Sequence, residues 1–366
     1  MTGVVEAAPE RVTPPCPFVA QGCGGCGWQH VTPAGQSDLR AAMVTDALVR
    51  LGGLVEPTVR QGPALPATGY RTTLRGVADD EGLVALRRHH SHDLVAVPGC
   101  QVAHPLVVEV LAEGRFPPGA AVTVRAGART GERLVVVEGP DGPAEDADAS
   151  ADDDWADTAV PDGVRVVTLA ELEAGKRAWI HEVVDGARLR LSALSFFQAG
   201  PDGAEALTAT VRQALGDALA GSDGRPAHLV DLYGGIGLFA ATVGRPAGAR
   251  VTVVETSPSA CADARVNLAG MDARVVRTDV ARWRPRRADA MVADPPRAGL
   301  GKDGVRAVVG ARVPRLVLVS CDAGALGRDA ALLAAAGYAF VDATLVDQFA
   351  GTPHVEVVSR FDLAGG

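Results

Sequence analysis

The chain of 366 residues has no apolar run that approaches the roughly 18 residues of a membrane-spanning helix, which argues against a helical membrane protein. Its first residues, Met1 to Ala8, lack both the basic start and the apolar core of a signal peptide. We therefore expect a cytoplasmic protein without a membrane partner. In that compartment its six cysteines stay reduced and available for metal binding or catalysis.

Positive charge is also scarce. The chain has 35 basic and 44 acidic residues, and a net charge of −9 argues at first against a nucleic-acid partner. However, residues 141–157 contain eight acidic residues and no basic one. The rest of the chain therefore has a net charge of only −1. We expect a solvated acidic loop over 140–160. Residues 71–92 and 274–287 are locally basic, and an ordinary solvated surface is the alternative reading of each.

The pattern of apolar residues changes along the chain. After an irregular start and a helical segment at 36–51, residues 70–194 alternate in short strands separated by glycine turns. Beyond residue 197, strands alternate with helices, which predicts an α/β fold with a mostly parallel, doubly wound sheet. The predicted strands are 228–232, 250–254, 273–277, 289–293 and 315–319, followed by an antiparallel pair near 339–346 and 354–361.

A glycine turn follows the first of these strands. Residues 228–240 read as a strand, the turn Gly234-Gly235-Ile-Gly237 and the start of a helix, which lets backbone amides approach a ligand. The next strand ends in Glu255, a position from which an acid can accept hydrogen bonds from a ribose. The glycines alone also fit a dinucleotide-binding dehydrogenase. Asp231 before the turn and Asp294-Pro-Pro-Arg297 after the fourth strand favour S-adenosylmethionine instead.

One cysteine stands where an apolar run ends. Residues 315–319 predict a buried strand, so Cys321 falls near its carboxyl end, where α/β sheets place their ligand crevices. Glu356 follows another strand-like stretch. A thiol and a carboxylate on neighbouring strand ends can add to an electron-poor ring and then remove a proton from it. The alternative, a small buried hydrophobic cysteine, is the more common case for a cysteine without such neighbours.

Four other cysteines form a spaced group. Cys16, Cys23 and Cys26 have C-x6-C-x2-C spacing, and Cys100 follows later in the chain. Four thiolates suit an iron–sulfur cluster or a tetrahedral zinc ion, and the spacing leaves both open. It does not match the C-x3-C-x2-C pattern of radical S-adenosylmethionine enzymes.

Together these motifs resemble the RNA uracil-5-methyltransferase family, and in particular its iron–sulfur branch that acts on 23S ribosomal RNA. The resemblance runs from Cys16 to Phe361. Besides the four cysteines it is carried, in order, by Ser195-Phe-Phe-Gln198, Asp231-Leu-Tyr-Gly-Gly-Ile-Gly237, Glu255 with Ala264-Arg-Val-Asn267, Asp294-Pro-Pro-Arg297, Ser320-Cys321 and His354-Val-Glu356.

The resemblance implies a Rossmann-like class I methyltransferase domain over 196–366, preceded over 1–195 by an iron–sulfur cysteine motif and a β-rich domain. It implies a monomeric enzyme that forms 5-methyluridine, with Cys321 as the nucleophile that adds to uracil C6 and Glu356 as the base. It implies a [4Fe–4S] cluster bound by Cys16, Cys23, Cys26 and Cys100. It also implies a pocket for S-adenosylmethionine and the target base lined by Gln198, Tyr233, Gly235, Gly237, Glu255, Asp279 and Asp294.

The chain departs from the family pattern at three places. Asp322-Ala323 stands where the family often has Asn-Pro, and Gly200 and Leu238 replace polar residues. These departures concern substrate geometry, since none removes a reacting group. A tRNA 5-methyluridine enzyme and an RNA 5-methylcytosine enzyme remain alternatives. A non-catalytic iron–sulfur RNA-binding protein is a more distant one, because it would not need Cys321 and Glu356 together.

Overall fold

The computed structural model describes residue 4 and residues 6–139, 158–221 and 224–365. Most of the expected acidic loop, residues 140–157, lies outside the described residues. The helices are α1 (Pro17–Ala20), α2 (Pro33–Arg50), α3 (Pro105–Glu113), α4 (Leu169–Glu173), α5 (Pro201–Leu215), α6 (Pro258–Asn267), α7 (Gly301–Ala311) and α8 (Ala323–Ala335). The strands are β1 (Val59–Gln61), β2 (Thr73–Ala78), β3 (Val84–Arg87), β4 (Leu94–Ala96), β5 (Ala121–Ala126), β6 (Arg133–Glu138), β7 (Val164–Thr168), β8 (Trp179–Val184), β9 (Ala187–Ser192), β10 (His228–Leu232), β11 (Arg250–Glu255), β12 (Ala273–Arg277), β13 (Ala290–Ala293), β14 (Arg315–Ser320), β15 (Tyr338–Leu345) and β16 (Val357–Leu363). None of the described helices is long and apolar enough to cross a membrane.

The chain forms two compact units, and the first consists of Met1–Gln36, Pro66–Glu182 and Ala350–Pro353. It contains a six-stranded sheet in the order β4-β3-β2-β5-β6-β7. Neighbouring strands are antiparallel except for the β6–β7 pair. Apolar residues of these strands form one core with the buried side of α3.

The second unit consists of Ser37–Leu65, Val183–Phe349 and His354–Gly366. Its sheet has eight strands in the order β1-β15-β16-β14-β13-β10-β11-β12. All pairs are parallel except those of β16, which runs antiparallel to both β14 and β15. The α/β prediction is thus confirmed, and β10 and β12 begin and end at the predicted residues.

The central strands of this sheet explain where a site can form. Every residue of β10 and β13 is buried, as expected for parallel strands covered on both faces. The parallel strands β10, β11, β13 and β14 all end at one edge of the sheet, and in such sheets ligands bind outside the carboxyl ends of the strands. The second unit therefore has one crevice edge, built from the segments that follow these four strands.

The single boundary predicted near residue 195 does not reproduce the two units. Ser37–Leu65 belongs to the second unit because β1 joins its sheet, with Val59 opposite Ala343, and because Val44 and Leu48 of α2 lie in its core. These contacts join residues that are far apart in the chain, so the local pattern of apolar residues carries no sign of them.

Candidate active site

The glycine turn after β10 has an unusual backbone. Tyr233, Gly235 and Gly237 have φ of 60°, 53° and 83°. Glycine adopts this region without a steric penalty, whereas an aromatic residue rarely does. A constrained Tyr233 is the kind of backbone outlier that clusters at functional sites.

Two acids hold this turn in place. Glu255, at the end of β11, accepts a hydrogen bond from the Gly235 amide at 3.0 Å and from the Ser257 amide at 2.8 Å. Asp231, in β10, is fully buried and accepts from the Ala240 amide at 3.1 Å. Burial, more than the nearby charges of Asp294 and Glu255, raises the pKa of Asp231 to about 7.

Tyr233 and Asp279 are neighbours. Burial first, and then the negative charge of Asp279, raises the pKa of the Tyr233 hydroxyl to about 12. Asp279 itself is exposed and accepts a hydrogen bond from the Ala281 amide at 2.7 Å. The predicted residues of the methyl-donor pocket therefore follow the ends of β10, β11 and β12 in turn.

Cys321 and Glu356 lie at the end of the ladder between β14 and β16. These strands are antiparallel, and the last pair of their ladder is Ser320 opposite Val357. Cys321 directly follows Ser320 and Glu356 directly precedes Val357, and the charge of Glu356 acts on the Cys321 thiol. β13 and β14 are parallel with Ala293 opposite Leu318, which brings Asp294 to the same edge. Three predicted site residues are thus gathered by strand register.

The electrostatics of this group follow from its burial. Burial and the charges of Glu356 and Asp294 raise the pKa of Cys321 to about 11, against the opposing effect of Arg297. Burial likewise raises the pKa of Asp294 to about 7 and that of Glu356 well above its ordinary value. At neutral pH the thiol therefore carries its proton, and a nearby cation is needed to favour the thiolate.

Gln348 joins this group, although no sequence motif indicates it. Its Nε2 donates to Gln198 Oε1 at 3.0 Å and to Glu356 Oε2 at 3.1 Å. Gln198 Nε2 in turn donates to Asp294 Oδ2 at 3.5 Å. Gln348 lies in the connection between β15 and β16, where no periodicity marks a residue. Its separation of 150 residues from Gln198 is invisible to any local motif.

The Phe-Phe-Gln motif owes its position to a buried acid. Asp263 of α6 is completely buried and accepts a hydrogen bond from Ser195 Oγ at 2.7 Å. Asn267, on the same helix, donates to the carbonyl of Ile236 at 3.0 Å. Phe196 is 73% exposed. The motif thus presents one aromatic ring to solvent while its serine is tied to the helix that also holds the glycine turn.

The first unit contains the four grouped cysteines. Cys16, Cys23, Cys26 and Cys100 all line one cavity of about 190 Å³. Arg71 is also part of its lining. The structure therefore brings together the cysteines that the sequence separates by up to 84 residues.

These thiols influence one another. Burial first, and then the charges of the other three cysteines, raises the pKa of Cys26, while a hydrogen bond with Gln29 lowers it. Burial also raises the pKa of Cys100, with smaller contributions from Cys16 and Cys23. Across the described ranges, no three His, Cys, Asp or Glu side chains are grouped so that they could hold a metal ion.

A solved structure with a similar fold is the Pyrococcus abyssi tRNA (uracil-54, C5)-methyltransferase in complex with S-adenosyl-L-homocysteine. The TM-score is 0.70 at 21% identity, and the match covers 98% of this chain and 88% of that one. At this identity the likeness establishes the fold. Together with the glycine turn and the antiparallel β16, it defines a Rossmann-like α/β fold.

Sequence comparison gives the family. An uncharacterized RNA methyltransferase of Streptomyces avermitilis is 32% identical over 99% of this chain and 86% of its own length. One from Gloeobacter violaceus is 32% identical over 98% of this chain and 84% of its own. No family model matches the chain. The chain belongs to the RNA methyltransferase family of these relatives, and that part of the prediction is confirmed.

Proposed function

We propose that this RNA methyltransferase uses S-adenosylmethionine to form 5-methyluridine, with Cys321 as the nucleophile and Glu356 as the base. The observation that supports the proposal is the register of β14 and β16, whose last pair is Ser320 and Val357, the residues next to Cys321 and Glu356 at the carboxyl end of a parallel strand. A cysteine and a base so arranged suit covalent catalysis on a ring. The similar Pyrococcus abyssi protein is named for methylation at C5 of a uracil.

The reaction follows from these two groups. Once the thiol proton has been lost to solvent, the Cys321 thiolate forms a bond to C6 of uracil, and the C5=C6 electron pair moves towards C5 and O4. C5 then attacks the methyl group of the sulfonium, whose S–CH3 electron pair remains on the departing sulfur. Glu356 takes the C5 proton, the C5=C6 bond re-forms, and the C6–S bond breaks to release the thiolate. The target base has to leave its stack to reach such a pocket.

The turn after β10 supports the choice of methyl donor. Glu255 accepts the Gly235 amide, so the acid that we expect to bind a ribose lies against the glycine turn at a helix start, the kind of place where α/β folds bind nucleotides. Gln198 and Asp294 offer an amide and a carboxyl group to the edge of the base. A positively charged sulfonium near Cys321 favours the thiolate, because an opposite charge lowers a thiol pKa.

A [4Fe–4S] cluster bound by Cys16, Cys23, Cys26 and Cys100 is the second part of the proposal. In the part of the chain described, all four line one cavity. A cluster with four thiolate ligands is bulkier than one ion and suits that arrangement. Its role is structural support or RNA contact, since the methyl transfer moves no electron to or from a metal.

The proposed substrate is 23S ribosomal RNA. The test is a map of 5-methyluridine across total RNA from cells with and without the gene. Loss of one ribosomal 5-methyluridine supports the proposal in full, and loss of one in tRNA corrects the substrate alone. Loss of a 5-methylcytosine overturns the assignment to uracil. An unchanged map of both bases overturns the activity.

The covalent step has its own test. RNA that carries 5-fluorouridine at the target should form a cofactor-dependent adduct that survives a denaturing gel, because fluorine does not leave as a proton does. Glu356→Gln should accumulate a similar adduct with ordinary RNA, since methylation precedes loss of the C5 proton. A wild-type protein that methylates uridine but gives no fluorouridine adduct would refute the nucleophile.

A further inference from the structure

Gln348 is a buried amide that donates two hydrogen bonds. It is not itself a reacting group in the proposed reaction. Gln348, Glu356 and Gln198 are each 5% exposed or less. Nε2 of Gln348 donates to Glu356 Oε2 at 3.1 Å and to Gln198 Oε1 at 3.0 Å. The amide oxygen of Gln198 and a carboxylate oxygen of ionised Glu356 only accept hydrogen bonds, so the NH2 end of the Gln348 amide pairs with both when Glu356 is in its basic form.

This geometry leaves the two oxygens of Glu356 unequal. Oε2 is held by Gln348, whereas Oε1 is buried and has no hydrogen-bond partner among the described residues. A buried carboxyl oxygen without a partner is costly unless another group supplies a hydrogen bond or a proton. Oε1 is therefore the oxygen of Glu356 that is available to a proton.

The other end of the Gln348 amide faces helix α5. A Cβ atom at Gly203, in the first turn of α5, would lie 2.5 Å from Gln348 Oε1. Any side chain at this position would push the amide away, because real Cβ contacts are never so short. The absence of a side chain at Gly203 thus makes room for the amide that holds Glu356.

We infer that Gln348, in the space left by Gly203, is the positioning residue that fixes Glu356 Oε2 and so presents Oε1 to the C5 proton. The inference rests on the proposed function and deepens it. Gln348 also lowers the pKa of Glu356 against the dominant effect of burial. Loss of that hydrogen bond should therefore raise the pKa of Glu356 further, so that the base is ionised only at higher pH.

The experiment compares two variants that disturb the hydrogen bond to Glu356 in different ways. Gln348→Met keeps the length of the side chain and removes both hydrogen bonds. Gly203→Ala touches neither substrate nor base, and it displaces the Gln348 amide while improving helix propensity. Ala209→Ser, at an exposed site on α5, is the matched control and should leave turnover unchanged.

Both variants should lose about ten- to a hundredfold in turnover, as expected when a base is misplaced or wrongly protonated. With ordinary RNA each should accumulate the methylated covalent adduct, and the limiting pH of turnover should move upward. In Gln348→Met, a further Gly203→Ala should add less than about a twofold effect, because the amide it displaces is already gone.

Activity that falls without adduct accumulation, or a double variant whose losses multiply, would overturn the positioning role. A loss that follows the melting temperature alone would do the same. Failure of the proposed function itself is seen elsewhere, in a wild-type protein that gives no adduct with 5-fluorouridine RNA. The two failures are therefore distinguishable.

Discussion

The chain keeps buried and half-buried thiols in two settings, and the two settings differ in the groups that surround the thiols. In the first unit Cys16, Cys23, Cys26 and Cys100 line one cavity, and each thiolate would face other thiolates. In the second unit Cys321 faces the carboxyl groups of Glu356 and Asp294. Thiols that repel one another as anions suit a shared cationic centre, whereas a thiol opposite a carboxylate suits stepwise addition and proton removal. The type of neighbour therefore separates the two proposed roles.

The largest effect is expected from removing the Cys321 thiol of the second unit. Cys321→Ala should lower methyl transfer by more than about 10⁴-fold, because removal of a covalent nucleophile leaves no group to add to C6. Affinity for S-adenosylmethionine, measured by calorimetry, should not change. Cys261→Ala is the matched control, since this cysteine is buried on α6 and its thiol donates to the backbone oxygen of Glu255 at 3.6 Å. Substantial residual activity in Cys321→Ala would show that the nucleophile is another residue.

The next effect concerns the four grouped cysteines of the first unit. Protein purified without oxygen should be brown and contain about four iron atoms and matching sulfide per chain. Cys26→Ser or Cys100→Ser should remove most of this iron, while Cys261→Ala should keep it. Iron and sulfide analysis with an absorption spectrum provides the measurement. A colourless wild-type protein with one zinc ion would contradict the cluster.

A smaller effect concerns the methyl donor. Glu255→Ala should weaken binding of S-adenosylmethionine by about 1–3 kcal/mol, the range for hydrogen bonds to a charged group. Part of this loss comes from the hydrogen bond between the Gly235 amide and Glu255, which the substitution also removes. Asp272→Ala removes an exposed carboxylate of the same unit and should have no effect in the same calorimetric titration. Equal affinities in the two variants would remove Glu255 from the donor pocket.

The influence of carboxylates on the Cys321 thiol is directly measurable. The pKa of Cys321 is about 11, and Glu356 is one cause of the rise. Glu356→Gln removes a negative charge, so the pKa of the thiol should fall and alkylation of Cys321 at fixed pH should become faster. Rates can be followed by mass spectrometry of the Cys321 peptide over a pH series. A slower or unchanged rate would mean that the two side chains do not interact.

The smallest effect compares the two units as RNA surfaces. Arg87 and Arg88 are exposed in the first unit, and Arg274 and Arg277 are exposed in the second. Neutralising a residue that contacts a phosphate should reduce the slope of log affinity against log salt by about 0.7 for single-stranded RNA. Binding titrations of each double Gln variant at several salt concentrations will show which pair makes such contacts. Slopes equal to that of the wild type in both variants would exclude both pairs.

The parts predicted well from sequence are those with continuous local patterns. The sequence predicts β10 to the residue because its short run is rich in Leu and Val and a glycine turn begins two residues after its end. The sequence also predicts that Cys321 and Glu356 follow or precede neighbouring strands, and these strands, β14 and β16, do pair with each other.

Contacts between residues far apart in the chain limit what can be predicted from the sequence. Nothing local distinguishes Gln348 from any other polar loop residue, because its importance comes from Gln198, which is 150 residues away. The pairing of β1 with β15 was missed for the same reason, since a three-residue strand has too little pattern to indicate its partner.

The eight-stranded sheet ends in two open edges, and this affects how the protein behaves at high concentration. An open edge offers unpaired backbone groups to other chains and can start aggregation. One edge, β1, is only three residues long, and Arg60 in it pairs with Asp342. The other, β12, carries the exposed Arg274 and Arg277 on either side of two valines. Charge and brevity therefore protect both edges, and replacing both arginines of β12 with threonine should make the protein prone to edge-to-edge association.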